Sequence, residues 1–290
     1  MNEPVYRSER TKETYERALR QLRAGLGAPA SDMEFLRDAN GVVKYVESLQ
    51  KSVNTRKIFY IAIVSRLKGN PQFADVFPTY KKKQDEYNRA VGAQMERQQL
   101  SPAETEKFVP WPEVLKAREA ARLAAYDLMT YQDYVLACLY TYLPPARLDY
   151  SPMQVVSEDI SGAANYLLVL PSGLTLVLNS YKTAHKYGQQ RTAVPPALEA
   201  ILREWLTLNP SGWLLCNTDG SPMSEGSLAQ RITAVFKKHT GKAVGGCMLR
   251  HSFVSWFRRR EAPLLRIAEI ARQMGHSVGM NALYRKLNTN

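Results

Sequence analysis

One short stretch of the chain, residues 165–194, has the pattern of β-strands, whereas the segments on either side have the spacing of helices. Within it, 165–170 and 174–178 are two apolar runs separated by a turn that contains Gly173, which predicts a β-hairpin. A third strand is predicted over 190–194, because the two prolines that follow cannot continue a hydrogen-bonded ladder. The pattern therefore predicts a mainly α protein with a small antiparallel sheet.

The length of the chain, 290 residues, exceeds the usual size of a single core and predicts two domains. Apolar residues at helical spacing recur through the first hundred residues, beginning with a helix over 11–24, and no strong strand pattern occurs there. Residues 81–110 contain three consecutive lysines and a stretch rich in Gln, Glu and Arg, which is typical of a linker, and the composition also allows part of it to be helical. We expect a helical domain with its linker over 1–105 and a second domain over 106–290.

The net charge of the chain, +12, indicates a polyanionic partner, and nucleic acid is the commonest one. The charge is concentrated near the end, since residues 226–290 hold twelve Lys and Arg against two acids. This segment predicts a surface that contacts phosphates. A solvated helix face has the same composition, so charge alone leaves that interpretation open.

The sequence gives no sign of a membrane or secreted protein. No apolar run approaches the roughly 20 residues that cross a bilayer, and the charged start of the chain has no apolar signal region. The three cysteines are widely spaced and odd in number, which fits a reducing compartment. We expect a cytoplasmic location in a prokaryotic host or a nuclear one in a eukaryotic host.

Five polar residues lie at the ends of predicted elements in the second domain: Arg147, Lys182, Arg250, His276 and Tyr284. Taken singly, each has an ordinary structural explanation, such as a surface cation or a histidine near a helix C-terminus. In their order and settings, however, they resemble the signature of the tyrosine recombinases, or phage integrases. That signature is an arginine, a lysine in a β-hairpin, a His-x-x-Arg box, a His or Trp, and a nucleophilic tyrosine.

The resemblance covers about residues 110–290, and it implies an α+β catalytic domain preceded by a helical core-binding domain that binds DNA. It implies that Tyr284 attacks a DNA phosphate, leaving a 3′-phosphotyrosyl bond and a free 5′-hydroxyl. Arg147 and Arg250 would hold the non-bridging oxygens with their planar guanidiniums. Lys182 would protonate the leaving oxygen, and His276 would hydrogen-bond the phosphate or orient the nucleophile. The reaction needs no metal, cofactor or ATP.

One position departs from the family pattern, because Cys247 stands where the box has its histidine. A thiol is a poorer proton acceptor at neutral pH than an imidazole, so we assign no catalytic role to it. His251 follows Arg250 and is expected to point away from the site in a packing role. Cys247 and His251 could also be a metal-binding pair, but no carboxylate or further Cys/His cluster lies close in sequence.

The resemblance also implies the partners: double-stranded DNA, with four copies assembled as a homotetramer for strand exchange through a Holliday junction. A type IB topoisomerase, which shares the chemistry but acts as a monomer, is one alternative, and a catalytically inactive DNA-binding relative is another. The segments 143–147 and 181–188 look more like recombinases of eukaryotic viruses and mobile elements than like bacterial integrases.

Overall fold

The structure, a computed structural model, describes residues 9–29, 33–259 and 264–287. The chain divides into two compact units, 1–97 and 98–290. The division falls somewhat before residue 105, where the linker composition suggests a boundary. None of the helices within the described ranges combines the length and hydrophobicity needed to cross a bilayer.

The first unit is helical throughout its described residues. Its helices are α1 (Glu9–Gly25), α2 (Ala39–Ser48), α3 (Val53–Leu67) and α4 (Phe77–Glu96), with short 3₁₀ helices at Glu34–Arg37 and Pro71–Phe73. The core forms around α3, where Tyr60 and Ile63 are fully buried against Leu22 and Val46. The three lysines of the predicted linker, which was expected to be helical in part, lie within α4, whose apolar face is held by the buried Tyr80.

The second unit combines nine helices with four strands in the part of the chain that the structure describes. Its elements are α5 (Pro102–Lys107), α6 (Trp111–Leu123), α7 (Leu128–Tyr142), β1 (Met153–Val156), β2 (Asn165–Leu170), β3 (Gly173–Leu178), α8 (Ala184–Tyr187), β4 (Gln190–Ala193), α9 (Pro196–Leu208), α10 (Glu225–Thr240), α11 (Gly246–Arg258), α12 (Leu264–Gln273) and α13 (Val278–Tyr284). The expected fold class, mainly α with a small sheet, is confirmed.

The sheet has the order β1-β2-β3-β4. The expected hairpin is present, with β2 antiparallel to β3 and Leu170 paired with Gly173, and β4 continues it in antiparallel fashion. The sheet is nevertheless mixed and not antiparallel throughout, because it has a fourth strand that was not predicted, β1, which pairs in parallel with β2. β1 has only four residues and no alternating burial, so its sequence carries too little pattern to reveal it.

Helix α7 is the centre of the second unit. Buried residues occupy most of its circumference, among them Val135, Leu139 and Tyr140, and the helix packs against α6, α9 and α10. Asp127 caps its N-terminus by accepting a hydrogen bond from the Thr130 N–H at 2.8 Å. A helix buried on all sides is fixed by the core, so the segment that follows it, which carries Arg147, starts from a defined position.

Candidate active site

Arg250 lies at the centre of the site, on the first turns of α11. Its side chain is only 1% exposed, and its guanidinium donates hydrogen bonds to the carbonyl oxygens of Pro145 at 2.8 Å and Met274 at 3.0 Å. These bonds join the segment after α7 to the end of α12. Burial lowers the pKa of Arg250, yet an arginine remains charged at neutral pH. Its buried Nε has no hydrogen-bond partner among the described residues.

Arg147 follows α7, and its main chain is fixed while its side chain is partly exposed. The Tyr140 hydroxyl donates to the Arg147 carbonyl, and the Arg147 N–H donates to an Asp149 carboxylate oxygen at 3.1 Å. Within the described ranges, the Arg147 guanidinium forms no hydrogen bond or ion pair with another side chain. Burial raises the pKa of Asp149, and the charges of Arg147 and Arg250 oppose that shift. The two guanidiniums therefore act on one small region.

Tyr284 is the last residue of α13, and its ring is enclosed by three other side chains. The ring centroid lies 4.9 Å from the ring centroids of both His251 and His276. The guanidinium carbon of Arg250 lies 4.9 Å from the same centroid, which is within the range of a cation–π contact. Tyr284 as a residue remains partly exposed, so these contacts hold the ring without burying it completely.

His276 lies directly after Gly275, whose φ of +67° ends α12 in the left-handed conformation that favours glycine. The side chain is 5% exposed, and neither ring nitrogen makes a regular hydrogen bond among the described residues. Burial, and then the charges of Arg250 and Arg147, lower the pKa of His276 to about 3. The imidazole is therefore neutral at pH 7 and offers an N–H donor.

The buried unpaired donors on Arg250 and His276, which lie beside the partly exposed guanidinium of Arg147, have a common implication. Leaving a buried donor without a partner costs about 1–3 kcal/mol, so such groups are usually found where a ligand completes them. A tetrahedral oxyanion has several acceptor oxygens and a negative charge that would offset the two guanidiniums. The arrangement is chemically suited to a phosphate lying against the Tyr284 ring.

Lys182 lies in the connection between β3 and β4, and its side chain is exposed. Its neighbour Thr183 donates a hydrogen bond to the Gly275 carbonyl at 2.7 Å, and Gln190 donates to the Arg272 carbonyl at 2.9 Å. The connection is thus fastened beside His276. The structure brings Arg147, Arg250, His276 and Tyr284 together, and it places Lys182 on the adjoining surface without a contact to them.

A buried asparagine joins the segments that carry Arg147 and Lys182. Asn165, at the start of β2, donates to the carbonyls of Asp149 at 3.0 Å and Ser180 at 2.9 Å. Its side-chain oxygen accepts from the N–H groups of Asn179 and Ser180. Nothing in the local sequence marks this residue, because its partners lie 14 to 16 residues away in separate loops.

Cys247 and His251 lie one turn apart on α11, and the structure separates their roles. Cys247 is exposed as a residue, but its thiol is enclosed enough that burial raises its pKa, which keeps it protonated at neutral pH. The expectation that His251 points away was wrong, because its Nδ1 lies 2.8 Å from the Tyr284 carbonyl oxygen. Among the described residues, no three His, Cys, Asp or Glu side chains form a metal site.

Comparison with known proteins shows similarity at the level of structure. No protein-family model and no curated protein matches the chain. Its structure is similar to a lambda integrase (75-356) dimer bound to a COC′ core site, with a TM-score of 0.56 and 15% identity over 98% of this chain and 90% of that one. It is also similar to XerH site-specific recombinase bound to difH, in a pre-cleavage complex (TM-score 0.55, 15% identity, 94% and 74%) and with palindromic difH in a post-cleavage complex (0.55, 15%, 96% and 73%). The chain therefore has the tyrosine recombinase fold that its motifs suggest.

Proposed function

We propose that this protein is a site-specific DNA recombinase that cleaves and rejoins double-stranded DNA through a 3′-phosphotyrosyl bond at Tyr284. The observation that carries the proposal is the enclosure of the Tyr284 ring by His276 and Arg250, beside the unpaired guanidinium of Arg147. The shared fold with DNA-bound recombinases supports the same class.

The chemistry follows from the groups at the site. Arg147 and Arg250 hold the two non-bridging oxygens of the scissile phosphate and stabilise the charge that builds up in the transition state. The Tyr284 oxygen forms a bond to phosphorus and passes its proton to solvent water, while the bond from phosphorus to the 5′-oxygen breaks. His276 donates a hydrogen bond to the phosphate through its neutral ring. Rejoining runs in reverse, because the phosphotyrosyl ester conserves the energy of the broken bond.

Lys182 is proposed to protonate the leaving 5′-oxygen. A general acid has to reach the atom that it protonates, and the exposed Lys182 lies on a connection anchored next to His276 by the Thr183 bond. Within the described part of the chain its ammonium group forms no hydrogen bond or ion pair that would have to break first. A lysine in this position can approach a duplex that covers the site.

The proposed partner is double-stranded DNA, bound through the basic surface of the second unit with help from the helical first unit. The charge in residues 226–290 favours this, although Arg260 and Glu261 lie outside the described residues. Exchange of both strands between two duplexes requires four tyrosines, so we propose a homotetramer on DNA. A nuclear or cytoplasmic location follows from the substrate.

A trapping experiment tests the proposal. Wild-type protein is mixed with a pool of nicked duplexes of random sequence, in which cleavage near the nick releases a short oligonucleotide and prevents rejoining. We expect a covalent protein–DNA adduct that survives denaturation, and none with Tyr284→Phe. The matched control is Tyr126→Phe, which changes a tyrosine that is 81% exposed and should leave the adduct unaffected.

The outcomes separate this function from its alternatives. Absence of an adduct with wild type would refute any strand-breaking activity and leave a DNA-binding protein. An adduct together with relaxation of a supercoiled plasmid, but no exchange between the captured sites, would identify a topoisomerase. Exchange between two plasmids that carry the captured sequence is the result expected here.

A further inference from the structure

The end of α13 is held by side chains from distant parts of the second unit. The last carbonyl groups of a helix have no partner within the helix and must be satisfied from outside. The Ala282 carbonyl accepts a hydrogen bond from the Gln98 side chain at 2.6 Å, and the Tyr284 carbonyl pairs with His251. α13 has only seven residues, too few to be stable alone. Its position therefore depends on these outside contacts.

The residues after Tyr284 are fixed in the same way. The Lys286 N–H donates to the Ser255 hydroxyl at 2.8 Å, and the Leu287 N–H donates to the Gln98 carbonyl at 2.8 Å. Lys286 is 8% exposed, with its ammonium 3.3 Å from the Gln99 carbonyl and 3.8 Å from a Glu104 oxygen. These contacts hold the segment on both sides of Tyr284 against α11 and the start of the second unit.

Among these contacts, the one from His251 reaches the nucleophile's own residue. A carbonyl oxygen can only accept, so the hydrogen of this bond resides on His251 Nδ1. The same imidazole faces the Tyr284 ring, with centroids 4.9 Å apart and planes inclined by 36°. One side chain therefore fixes both the main chain and the ring plane of Tyr284.

We propose that His251 is a positioning residue that sets the reach of the Tyr284 hydroxyl by holding the Tyr284 carbonyl within the same subunit. This inference rests on the proposed function, since it assigns Tyr284 as the nucleophile. Because His276 faces the same ring at 4.9 Å, the tyrosine ring contacts two imidazoles, one bonded to the main chain and one available to the phosphate. An error of about 1 Å in the position of a nucleophile can cost about a hundredfold in rate.

The geometry of the bond predicts which substitutions preserve it. The side-chain nitrogen of asparagine occupies nearly the position of histidine Nδ1, whereas that of glutamine is close to Nε2. His251→Asn should therefore keep the bond to the Tyr284 carbonyl. His251→Gln and His251→Leu should lose it while retaining much of the side-chain volume.

The test measures single-turnover cleavage on a nicked duplex at saturating protein, with DNA affinity measured separately. We expect wild-type affinity for all three variants and a rate within about threefold of wild type for His251→Asn. We expect at least a tenfold slower rate for His251→Gln and His251→Leu, since tenfold corresponds to about 1.4 kcal/mol, the size of one hydrogen bond. His239→Leu, which removes a half-buried histidine on α10, is the matched control and should not change the rate.

A second substrate distinguishes positioning from leaving-group chemistry. In a duplex with sulfur in place of the bridging 5′-oxygen, the leaving thiolate needs no proton, because a thiol is far more acidic than an alcohol. His251→Leu should remain slow on this substrate, because its defect lies in the nucleophile. A full recovery of the His251→Leu rate would overturn the proposal.

Other outcomes are equally decisive. Suppose that wild type forms the adduct, but that His251→Leu cleaves at the wild-type rate or that His251→Asn is as slow as His251→Gln. Either result would mean that His251 does not position Tyr284, while the proposed function stands. If His251→Leu does not fold, the comparison of the His251→Asn and His251→Gln rates decides. If wild type forms no adduct, the proposed function fails.

In that case amide hydrogen exchange over residues 281–287 still tests whether His251 holds the Tyr284 carbonyl. Unchanged protection of these amides in His251→Leu would contradict that contact.

Discussion

Acidification from about pH 8 to about pH 5 probes the surroundings of His276. In the folded protein, burial and the charges of Arg250 and Arg147 lower the pKa of this imidazole to about 3. In an unfolded chain a histidine has a pKa of about 6.5. The unfolded state therefore takes up a proton first as the pH falls, and the free energy of unfolding decreases from pH 6.5 downward toward pH 3.

The size of this effect follows from the two pKa values. At pH 5 the unfolded state is stabilised by RT ln(1 + 10^1.5), about 2 kcal/mol, while the folded state gains almost nothing. Above pH 7 the imidazole is neutral in both states, so its titration contributes almost nothing to the free energy of unfolding. His276→Asn removes the titrating group, so the difference in unfolding free energy between the variant and wild type should shift by about 2 kcal/mol between pH 8 and pH 5, in favour of the variant.

The measurement is urea unfolding of both proteins at several pH values, followed by tryptophan fluorescence. All four tryptophans lie in the second unit, so the signal reports the unfolding of the part that contains His276. NMR of the histidine ring carbons provides a direct check, with the His276 resonance assigned from the variant. This resonance should not move between pH 8 and pH 5.

The reasoning would be refuted by a titration midpoint near pH 6.5 for the His276 resonance, or by the same pH dependence of unfolding free energy in wild type and His276→Asn. Either result would mean that the imidazole is hydrated or paired and not enclosed beside two guanidiniums. Binding of a DNA phosphate should raise the His276 midpoint, because the anion offsets the positive charges that lower it.

Three further predictions concern the neighbouring groups. Lys182→Ala should slow cleavage of ordinary DNA by about a hundredfold or more, the usual contribution of a general acid. The cleavage rate of this variant should return to that of wild type on the bridging-sulfur duplex, and a rate that stays low there would exclude the acid role. Arg147→Ala should abolish the adduct with little change in thermal stability, whereas Arg250→Ala should also destabilise the fold by about 2–4 kcal/mol, because two buried carbonyls lose their donor; equal thermal unfolding midpoints would contradict this. Cys247→Ala should change the cleavage rate less than about tenfold between pH 6 and pH 8, since burial raises the thiol pKa and keeps it from acting as a base; a larger loss in single-turnover rate would show a direct role.

The local sequence pattern was sufficient to predict the secondary-structure elements that carry the site. The hairpin of β2 and β3 has a glycine turn between two apolar runs, and α11 begins at the second of two glycines and carries an aromatic face, so both could be predicted. The order of the five polar residues then allowed them to be assigned by resemblance to a family. These features depend on residues close together in the chain.

The contacts that arrange those residues could not be predicted in the same way. His251 and Tyr284 are 33 residues apart, and Gln98 meets the Ala282 carbonyl across 184 residues. Adjacent residues on a helix point about 100° apart, which made His251 appear to face away from a site centred on Arg250. The tyrosine segment packs along α11, and its Tyr284 ring contacts both side chains. That contact is a property of tertiary packing.

The turn at Gly275 has a mechanical consequence for the β3–β4 connection. A Cβ atom at this position would lie 3.3 Å from the Thr183 hydroxyl and 3.4 Å from the Tyr181 ring, so a side chain here would be tight against the connection as well as strained by the positive φ. The Thr183 bond to the Gly275 carbonyl is worth only about 1 kcal/mol. The loop that carries Lys182 is therefore held against the end of α12 by two single hydrogen bonds, from Thr183 and from Gln190, and the glycine at position 275 leaves room for the first of them.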